Sequence, residues 1–322
     1  MCEPRDPEPP ALQVVARWHT LWARGVPVVL TVVIFLLIFW RIPFSAFWKA
    51  FATAQWLLFL MLMGSFALGF FLLDTFVLSL LIRWFHGPLP YRDLLPVRAV
   101  TSLVSILNTQ LAQGALALYI HRRFHTPLAH ITSTIALLVL LETTNLILFA
   151  TLGTIALPGG APLLLLGLPL ALGAVWLLLI SLARGKLGIL SRHLGGSALL
   201  SAFRRASLRQ CAVILGLKAC VFCLALLVHS QTLGFFGIAI PLARLVTCLP
   251  IIFLVGALPI TVAHLGTSQA AWLFFFSDYA STADLLAYSL VSHLTFMLAN
   301  GTFGVLFLPK AYSDLFLRDR TG

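Results

Sequence analysis

The sequence predicts an all-α polytopic transmembrane helical bundle, with about eight crossings and broken or re-entrant segments near 100–120 and 259–276. Three observations lead to this fold class. The 322 residues are 60% apolar and only 10% charged, with a mean hydropathy of +1.01, where a soluble domain is roughly 25% charged. Apolar runs near the ~20 residues a spanning helix needs recur along most of the chain. Two of those runs are interrupted by polar or helix-breaking residues at comparable places in the two halves.

The elements follow in order. Residues 1–25 carry Glu3, Asp6, Glu8 and several prolines, a poor n-region, and no cleavage-like site follows the next apolar run. The first run, Pro27–Trp40, is therefore expected to be an uncleaved span behind an N-terminal cytoplasmic tail. Further spans are expected at Trp56–Ile82, Ile131–Leu157, Pro162–Ala183, Cys211–Val228, Phe235–Leu258 and Leu285–Leu308. The interrupted segments are Val100–Ile120, which holds Thr101, Ser102, Ser105, Asn108, Thr109, Gln110 and Gln113, and Pro259–Phe276, which opens Pro-Ile-Thr-Val-Ala-His-Leu-Gly-Thr-Ser-Gln. The whole of 26–309 is expected to form one membrane domain, with possible inverted halves 26–160 and 161–309, and 310–322 a second cytoplasmic tail.

Charge placement decides how Val100–Ile120 runs. Cytoplasmic loops collect Lys and Arg. If this segment dips in and returns, and Pro259–Phe276 supplies one further crossing, all 21 Lys and Arg fall on one side except Arg41 and Lys49, which lie opposite, and Lys218 and Arg244, which lie within spans. If it crosses fully, every later loop changes side and the asymmetry collapses. The re-entrant reading is the one the charges support, and it puts both termini in the cytoplasm. The most basic stretch, Arg184–Arg209, includes an amphipathic run, Leu199–Arg205, of the kind that lies along an anionic leaflet.

Several function classes are set aside. The formal net charge of +11 comes without a groove-reading motif, so no nucleic-acid partner is expected. Cys220-x-x-Cys223 has redox spacing, but it sits in an apolar run without a second ligand pair. Cys211, Cys220, Cys223 and Cys248 all fall in spans, where cysteine packs as a small hydrophobe. No Gly-x-x-x-x-Gly-Lys-Ser/Thr loop is present, and neither metal-ligand spacing nor paired catalytic carboxylates are recognisable. No cofactor, metal or catalytic residue is assigned.

Ionisable groups at membrane depth are expensive and mark pathways or pairs. Asp74 lies deep in the second span. Glu142 and Asn145 are three apart and share a helix face. Lys218 and Arg244 lie in later spans, so Asp74 or Glu142 can pair with either of them, or line a polar path. His293, Met297 and Asn300 form a stripe on the last helix. Pro259 and Gly266 end one helix and open another near Thr267-Ser268, where a helix N-terminus would suit a phosphate or other anion. Paired interrupted segments in two halves point to an inverted-repeat transporter with a central site.

The stretch Pro259-Ile260-Thr261-Val262-Ala263-His264-Leu265-Gly266-Thr267-Ser268-Gln269-Ala270-Ala271 resembles the signature of the lysylphosphatidylglycerol synthase transmembrane region, or flippase-like, family, which runs Pro-Ile-Ser-Ile-Gly-Gly-Leu-Gly-Val-Arg-Glu-Gly-Ala. Ser105-Ile106-Leu107-Asn108 is similar to an Asn-containing segment of that family, and Leu140-Leu141-Glu142 sits where the family has Glu-Arg. Ala263-His264 replaces Gly-Gly, Ser268-Gln269 replaces Arg-Glu, and Thr143 replaces the arginine. The resemblance implies a lipid-handling membrane fold, carried over at Asn108, Glu142, Pro259 and Gly266, and suggests a bacterial inner membrane.

The expectation from sequence is thus a protein that moves, or helps move, a phospholipid or polyprenyl-linked lipid between leaflets by alternating access. The headgroup would enter between the two broken segments, near Asn108, His264 and Gln269, with Glu142 and Arg244 lining or gating the path and Gln110, Asn145, Pro259 and Gly266 as further substrate-binding candidates. Its partners would be membrane lipids and a separate lipid-modifying enzyme. The alternative expectation is a membrane subunit or enzyme acting on a lipid-linked sugar or amino acid.

Overall fold

The computed structural model describes residues 44–107, 109–156, 167–186, 197–258 and 265–316, with isolated helical positions between 29 and 40. Among the described residues every element is helical. A ten-residue helix α1 (Phe44–Thr53) precedes the first long helix, α2 (Trp56–Phe85). A pair of shorter helices, α3 (Tyr91–Leu107) and α4 (Thr109–Phe124), leads to the long α5 (Leu128–Ala156). The shorter α6 (Gly167–Ala183) and a one-turn helix α7 (Ser201–Arg205) lead to the long α8 (Leu208–Gly234). A second short pair, α9 (Leu242–Gly256) and α10 (Thr267–Phe276), leads to the last long helix, α11 (Thr282–Phe316).

Four helices are long and apolar enough to cross a bilayer: Trp56–Phe85, Leu128–Ile155, Leu208–Gly234 and Thr282–Ala311, of 27 to 30 residues. At 1.5 Å per residue each spans ~40 Å, ample for a hydrocarbon core of ~30 Å. They are apolar around most of their circumference, and Leu57, Met61, Leu152, Leu227 and Leu298 stand outward. That is what lipid as solvent permits. The first expected span, Pro27–Trp40, and the start of Pro162–Ala183 lie largely outside the described residues.

The long helices alternate in direction. The Gln55 N–H before α2 donates to the Phe235 carbonyl after α8 (3.2 Å). At the other end the Arg205 guanidinium donates to the Phe85 carbonyl (3.2 Å) and lies 5.7 Å from the Phe85 ring centroid. So α2 and α8 are antiparallel. The end that carries Arg83, Arg122, Arg123, Arg204, Arg205 and Arg209 is called the basic end below.

Between α2 and α5 the chain folds back on itself. Leu94 and Val97 of α3 share a cluster with Leu116, Ala117 and Ile120 of α4, seated on Leu78 and Ile82 of α2 and Ile131 of α5. Phe124, at the end of α4, returns to Gly87 at the foot of α3, where a Cβ would lie 3.2 Å from its ring. The segment enters from the basic end and comes back to it, as the charge count required. Its first arm starts at Tyr91, earlier than the hydropathy edge at Val100, because the polar first turns (Arg92, Asp93, Arg98) are helical too.

Between α8 and α11 a second broken pair does the same from the opposite end. The expected span Phe235–Leu258 begins only at Leu242, because Gly237 turns the chain at φ +70° and Pro241 caps the helix. Leu245, Leu249 and Ile252 of α9 pack with Ala271, Trp272 and Phe276 of α10. Before the pair Phe236, and after it Ala283 and Leu286, lie in one cluster with Phe47 of α1. Arms of 15 and 10 residues reach only ~22 and ~15 Å, short of a crossing. The span expected at Phe235–Leu258 and the further crossing expected at Pro259–Phe276 are therefore replaced by the two arms of a part-depth hairpin, and because two crossings are lost together the sidedness of the later chain is unchanged.

The order long helix, hairpin, long helix thus occurs twice, inverted, and the two copies interlock. The first arm of each hairpin packs on the last helix of the other copy, with glycine at the contact. A Cβ on Gly304 of α11 would lie 2.5 Å from the Leu103 Cβ and 2.9 Å from the Ala99 carbonyl oxygen of α3. A Cβ on Gly153 of α5 would lie 2.5 Å from Thr247 Oγ1 and 2.7 Å from the Thr247 backbone nitrogen of α9. Close backbone approach through small residues is how helices associate in lipid, where burial supplies no driving force.

The basic end is tied together by polar contacts. His130 Nδ1 meets Ser201 Oγ at 2.8 Å, Ser133 Oγ accepts from the Ala202 N–H at 2.9 Å, and His86 Nε2 meets Thr134 Oγ1 at 2.9 Å. Burial, with Arg205 and His130 nearby, pushes the His86 imidazole down to about 4. The fold therefore favours neutral His86, a contribution present above the ordinary value near 6.5 and lost as pH falls towards 4.

Two predictions follow from this packing. Gly304→Ala or Gly153→Ala will lower stability in detergent by ~1–3 kcal/mol through overpacking, whereas Gly64→Ala, with no neighbour in reach, will not; unfolding midpoints decide. Melting temperature will fall between pH ~6.5 and ~4, and His86→Gln will flatten that part of the curve.

Candidate functional site

Four charged side chains meet inside the bundle, each from a different element. Lys218 of α8 donates through Nζ to Asp74 Oδ1 of α2 at 2.6 Å and to Glu142 Oε1 of α5 at 3.1 Å. Arg98, on the first arm of the basic-end hairpin, donates through Nη2 to the other Asp74 oxygen, Oδ2. The chain of contacts runs Arg98–Asp74–Lys218–Glu142, two bases alternating with two acids. The antiparallel pairing of α2 and α8 puts Asp74 and Lys218 side by side. The hairpin brings Arg98 to the same level.

Burial is graded along this chain. The side chains of Lys218 and Asp74 are 3% and 7% exposed, whereas those of Arg98 and Glu142 are 28% and 46% exposed. An ion buried alone in such a medium costs several kcal/mol. Each of the two buried charges here has two opposite partners, while each terminal charge keeps part of its surface open. The arrangement can therefore present an arginine and a carboxylate to a visiting polar group without exposing the inner pair.

The hydroxyls around Arg98 do not add to that polar surface. Thr101 and Ser102 donate to the Arg98 carbonyl (3.0 and 2.8 Å), and Ser105 donates to the Ser102 carbonyl (2.7 Å). Asn145 is buried three residues beyond Glu142 on α5. The Gly153–Thr247 contact sets the antiparallel register of α9 on α5, which carries Gly256, at the deep end of α9, to the level of Thr144 and Asn145. The end of α9 and the charge chain thus lie at a similar depth.

The other sequence-derived candidates are distributed as follows. Gly266 caps α10 at φ +95°, and its N–H donates to Gln269 Oε1 at 2.6 Å. Arg244 lies on the first turn of α9, at the end away from Glu142, and Lys218 rather than Arg244 takes both acids. Asn108, Pro259 and His264 lie outside the described residues, and for Gln110 only the helical backbone of α4 is described.

Sequence reasoning missed Arg98, whose place was hidden because the hydropathy edge fell two residues after it. It also missed a second buried cluster toward the opposite end. There His229 Nδ1 meets the Tyr288 hydroxyl at 2.6 Å, which meets Thr232 Oγ1 at 2.8 Å. The rings of Phe66, Phe253 and Trp272 stand 5.8 to 6.4 Å from the imidazole. The i, i+3 spacing of His229 and Thr232 was the only sequence signal, and nothing local pointed to Tyr288.

A family model described as the lysylphosphatidylglycerol synthase TM region matches residues 25–304. No curated protein matches the chain, and no solved structure does. The match spans both hairpins and all four residues of the charge chain, and the chain belongs to this family.

Lys218→Met leaves Glu142 without its cation and Asp74 with Arg98 alone. Truncating one member of a buried pair destabilises by ~3–5 kcal/mol, whereas replacing both by neutral residues costs far less. Asp74→Asn combined with Lys218→Met is accordingly expected to be more stable than Lys218→Met alone. A double-mutant cycle on unfolding in detergent measures this, and additive single effects would contradict the pairing.

Proposed function

We propose that this member of the lysylphosphatidylglycerol synthase TM-region family moves, or helps move, a phospholipid or polyprenyl-linked lipid between leaflets. The observation that carries the reading is the graded charge chain. Arg98 and Glu142 remain partly open within the bundle, near the level of the end of α9, in a surrounding where bare charge is excluded. A polar headgroup crossing the hydrocarbon core needs such partners on its way. Two inverted broken hairpins that enter from opposite ends are the architecture in which transporters place a substrate between two gates.

In this reading Arg98 and Glu142 take up charged or hydroxyl parts of the headgroup as it passes. Asp74 and Lys218 stay together as the fixed counter-charges. The basic end faces the cytoplasm, in keeping with the distribution of arginines. A lipid-modifying enzyme would be a separate protein, acting before or after the movement.

The test is transbilayer movement of fluorescent anionic, zwitterionic and lysyl-modified phospholipids in proteoliposomes. Wild type is expected to accelerate at least one, and Glu142→Gln to slow it by about tenfold, the kinetic equivalent of one charge-assisted hydrogen bond. No movement of any of these lipids by folded protein would move the reading to a membrane subunit that acts with an enzyme.

A further inference from the structure

The tip of the second hairpin holds a feature that the charge chain does not use. Gln269 is 0% exposed. Its Oε1 accepts from the Gly266 N–H, but its Nε2 is buried and donates to nothing among the described residues. The half-made cap is plain in chemical terms: Gly266 has no side chain to return the bond, so only the glutamine reaches across. The orphan N–H₂ group belongs to the same amide that lies over the first turn of α10.

That turn begins deep in the bundle. Gly256 and Ser268 face each other across the hairpin, where a Cβ on Gly256 would lie 4.0 Å from that of Ser268. The end of α9 and the start of α10 thus lie side by side, near the depth of Asn145 and Glu142. The N-terminus of α10 carries the positive end of the helix dipole. Its sequence, Thr267–Phe276, contains no acidic residue. Ile34 of the first apolar run covers Gly266, with its Cγ2 3.1 Å from where a Cβ would be.

Stability alone does not account for glutamine here. A glutamate would accept from the Gly266 N–H equally well, would complement the helix dipole, and would leave no donor orphaned. It is also what the family signature carries at this place, where the present chain has Ser268-Gln269. The change removes a negative charge from the positive end of the helix and adds a donor there. Both effects favour an arriving anion.

We propose that Gln269 and the N-terminus of α10 form a phosphate seat, taking a phosphate mono- or diester group, and that Gln269 in place of an acid sets this preference. The inference rests on the lipid-transport reading for its biological meaning, because the seat lies near the level of the charge chain. It names the phosphate as the part of the substrate recognised at the second hairpin. Inorganic phosphate and a lipid headgroup share the chemistry, and the binding arms separate them.

The experiment measures binding of dihexanoylphosphatidylglycerol, dihexanoylglycerol and inorganic phosphate to the purified full chain in detergent. Wild type, Gln269→Glu and Gln269→Met are compared, with melting temperature as the check on folding. Wild type is expected to bind the phosphate-bearing lipid and not dihexanoylglycerol. Competition by inorganic phosphate would assign the seat to the phosphate group alone, and its failure to compete would assign it to the lipid headgroup.

Gln269→Glu keeps the cap but sets like charge against the ligand, and should bind at least about tenfold more weakly. Gln269→Met loses the donor without adding charge; it should weaken binding several-fold and carries the test if the glutamate variant does not fold. Folded variants that bind like wild type, or equal binding of the phosphate-free lipid, would overturn the seat. If wild type moves no lipid but this pattern holds, the transport reading fails and the seat stands. If wild type moves lipid and Gln269→Glu binds and moves it unchanged, the seat fails and the transport reading stands.

Discussion

Asp74 is the residue around which the bundle is arranged. A carboxylate at that depth has no water to turn to, and lipid supplies no partner, so the protein must bring one. It brings two. Lys218 comes from a helix that must run antiparallel to α2 to deliver it. Arg98 comes from a hairpin that must enter from the basic end to reach the same level. Lys218 in turn requires Glu142 on α5. Fixing one acid therefore fixes the relative placement of four elements that packing of leucine against leucine would leave free to slide, since apolar contact in lipid discriminates poorly between registers.

The two hairpins are held differently although they have the same plan. The basic-end hairpin is held by charge through Arg98 and Asp74. The other is held by aromatic packing, with Phe253 and Trp272 against His229 and Tyr288. Each leans on a glycine of a long helix, Gly304 or Gly153, where backbones approach too closely for any side chain. The plan is thus symmetric and the chemistry is not. A two-sided structure whose halves are fastened by unlike forces will respond unequally to ions, pH and lipid charge at its two ends.

Much of this was legible in the sequence, for physical reasons. Trp56–Ile82 and Cys211–Val228 stand out because nothing but a membrane tolerates so many consecutive apolar residues. The return of Val100–Ile120 could be inferred from arginine placement alone, and Phe124 against Gly87 bears it out. That Glu142 and Asn145 share a face follows from helical spacing. The choice between Lys218 and Arg244 as partner was not legible, because it depends on how far α8 and α9 are shifted along their neighbours. Arg98 was read as a loop charge because polar first turns look like loop to a hydropathy window. The part-depth return of α9 and α10 was hidden because Phe235–Leu258 and Pro259–Phe276 are together long enough to be read as two crossings. Gly153 and Gly304 carry no sign in sequence of the helix they will touch.

The alternation of Arg98, Asp74, Lys218 and Glu142 also has an electrical consequence. With both acids ionised and both bases protonated the four sum to zero, so a transmembrane voltage does no net work on them as a unit. That neutrality lasts only while they travel together. If the basic-end hairpin carries Arg98 away from Asp74, a positive charge moves through the field while its counter-charge stays behind. Each elementary charge taken across the full drop is worth about 2.3 kcal/mol per 100 mV. A contact that makes the bundle indifferent to membrane potential would make a movement of this hairpin sensitive to it, by the fraction of the field that Arg98 crosses.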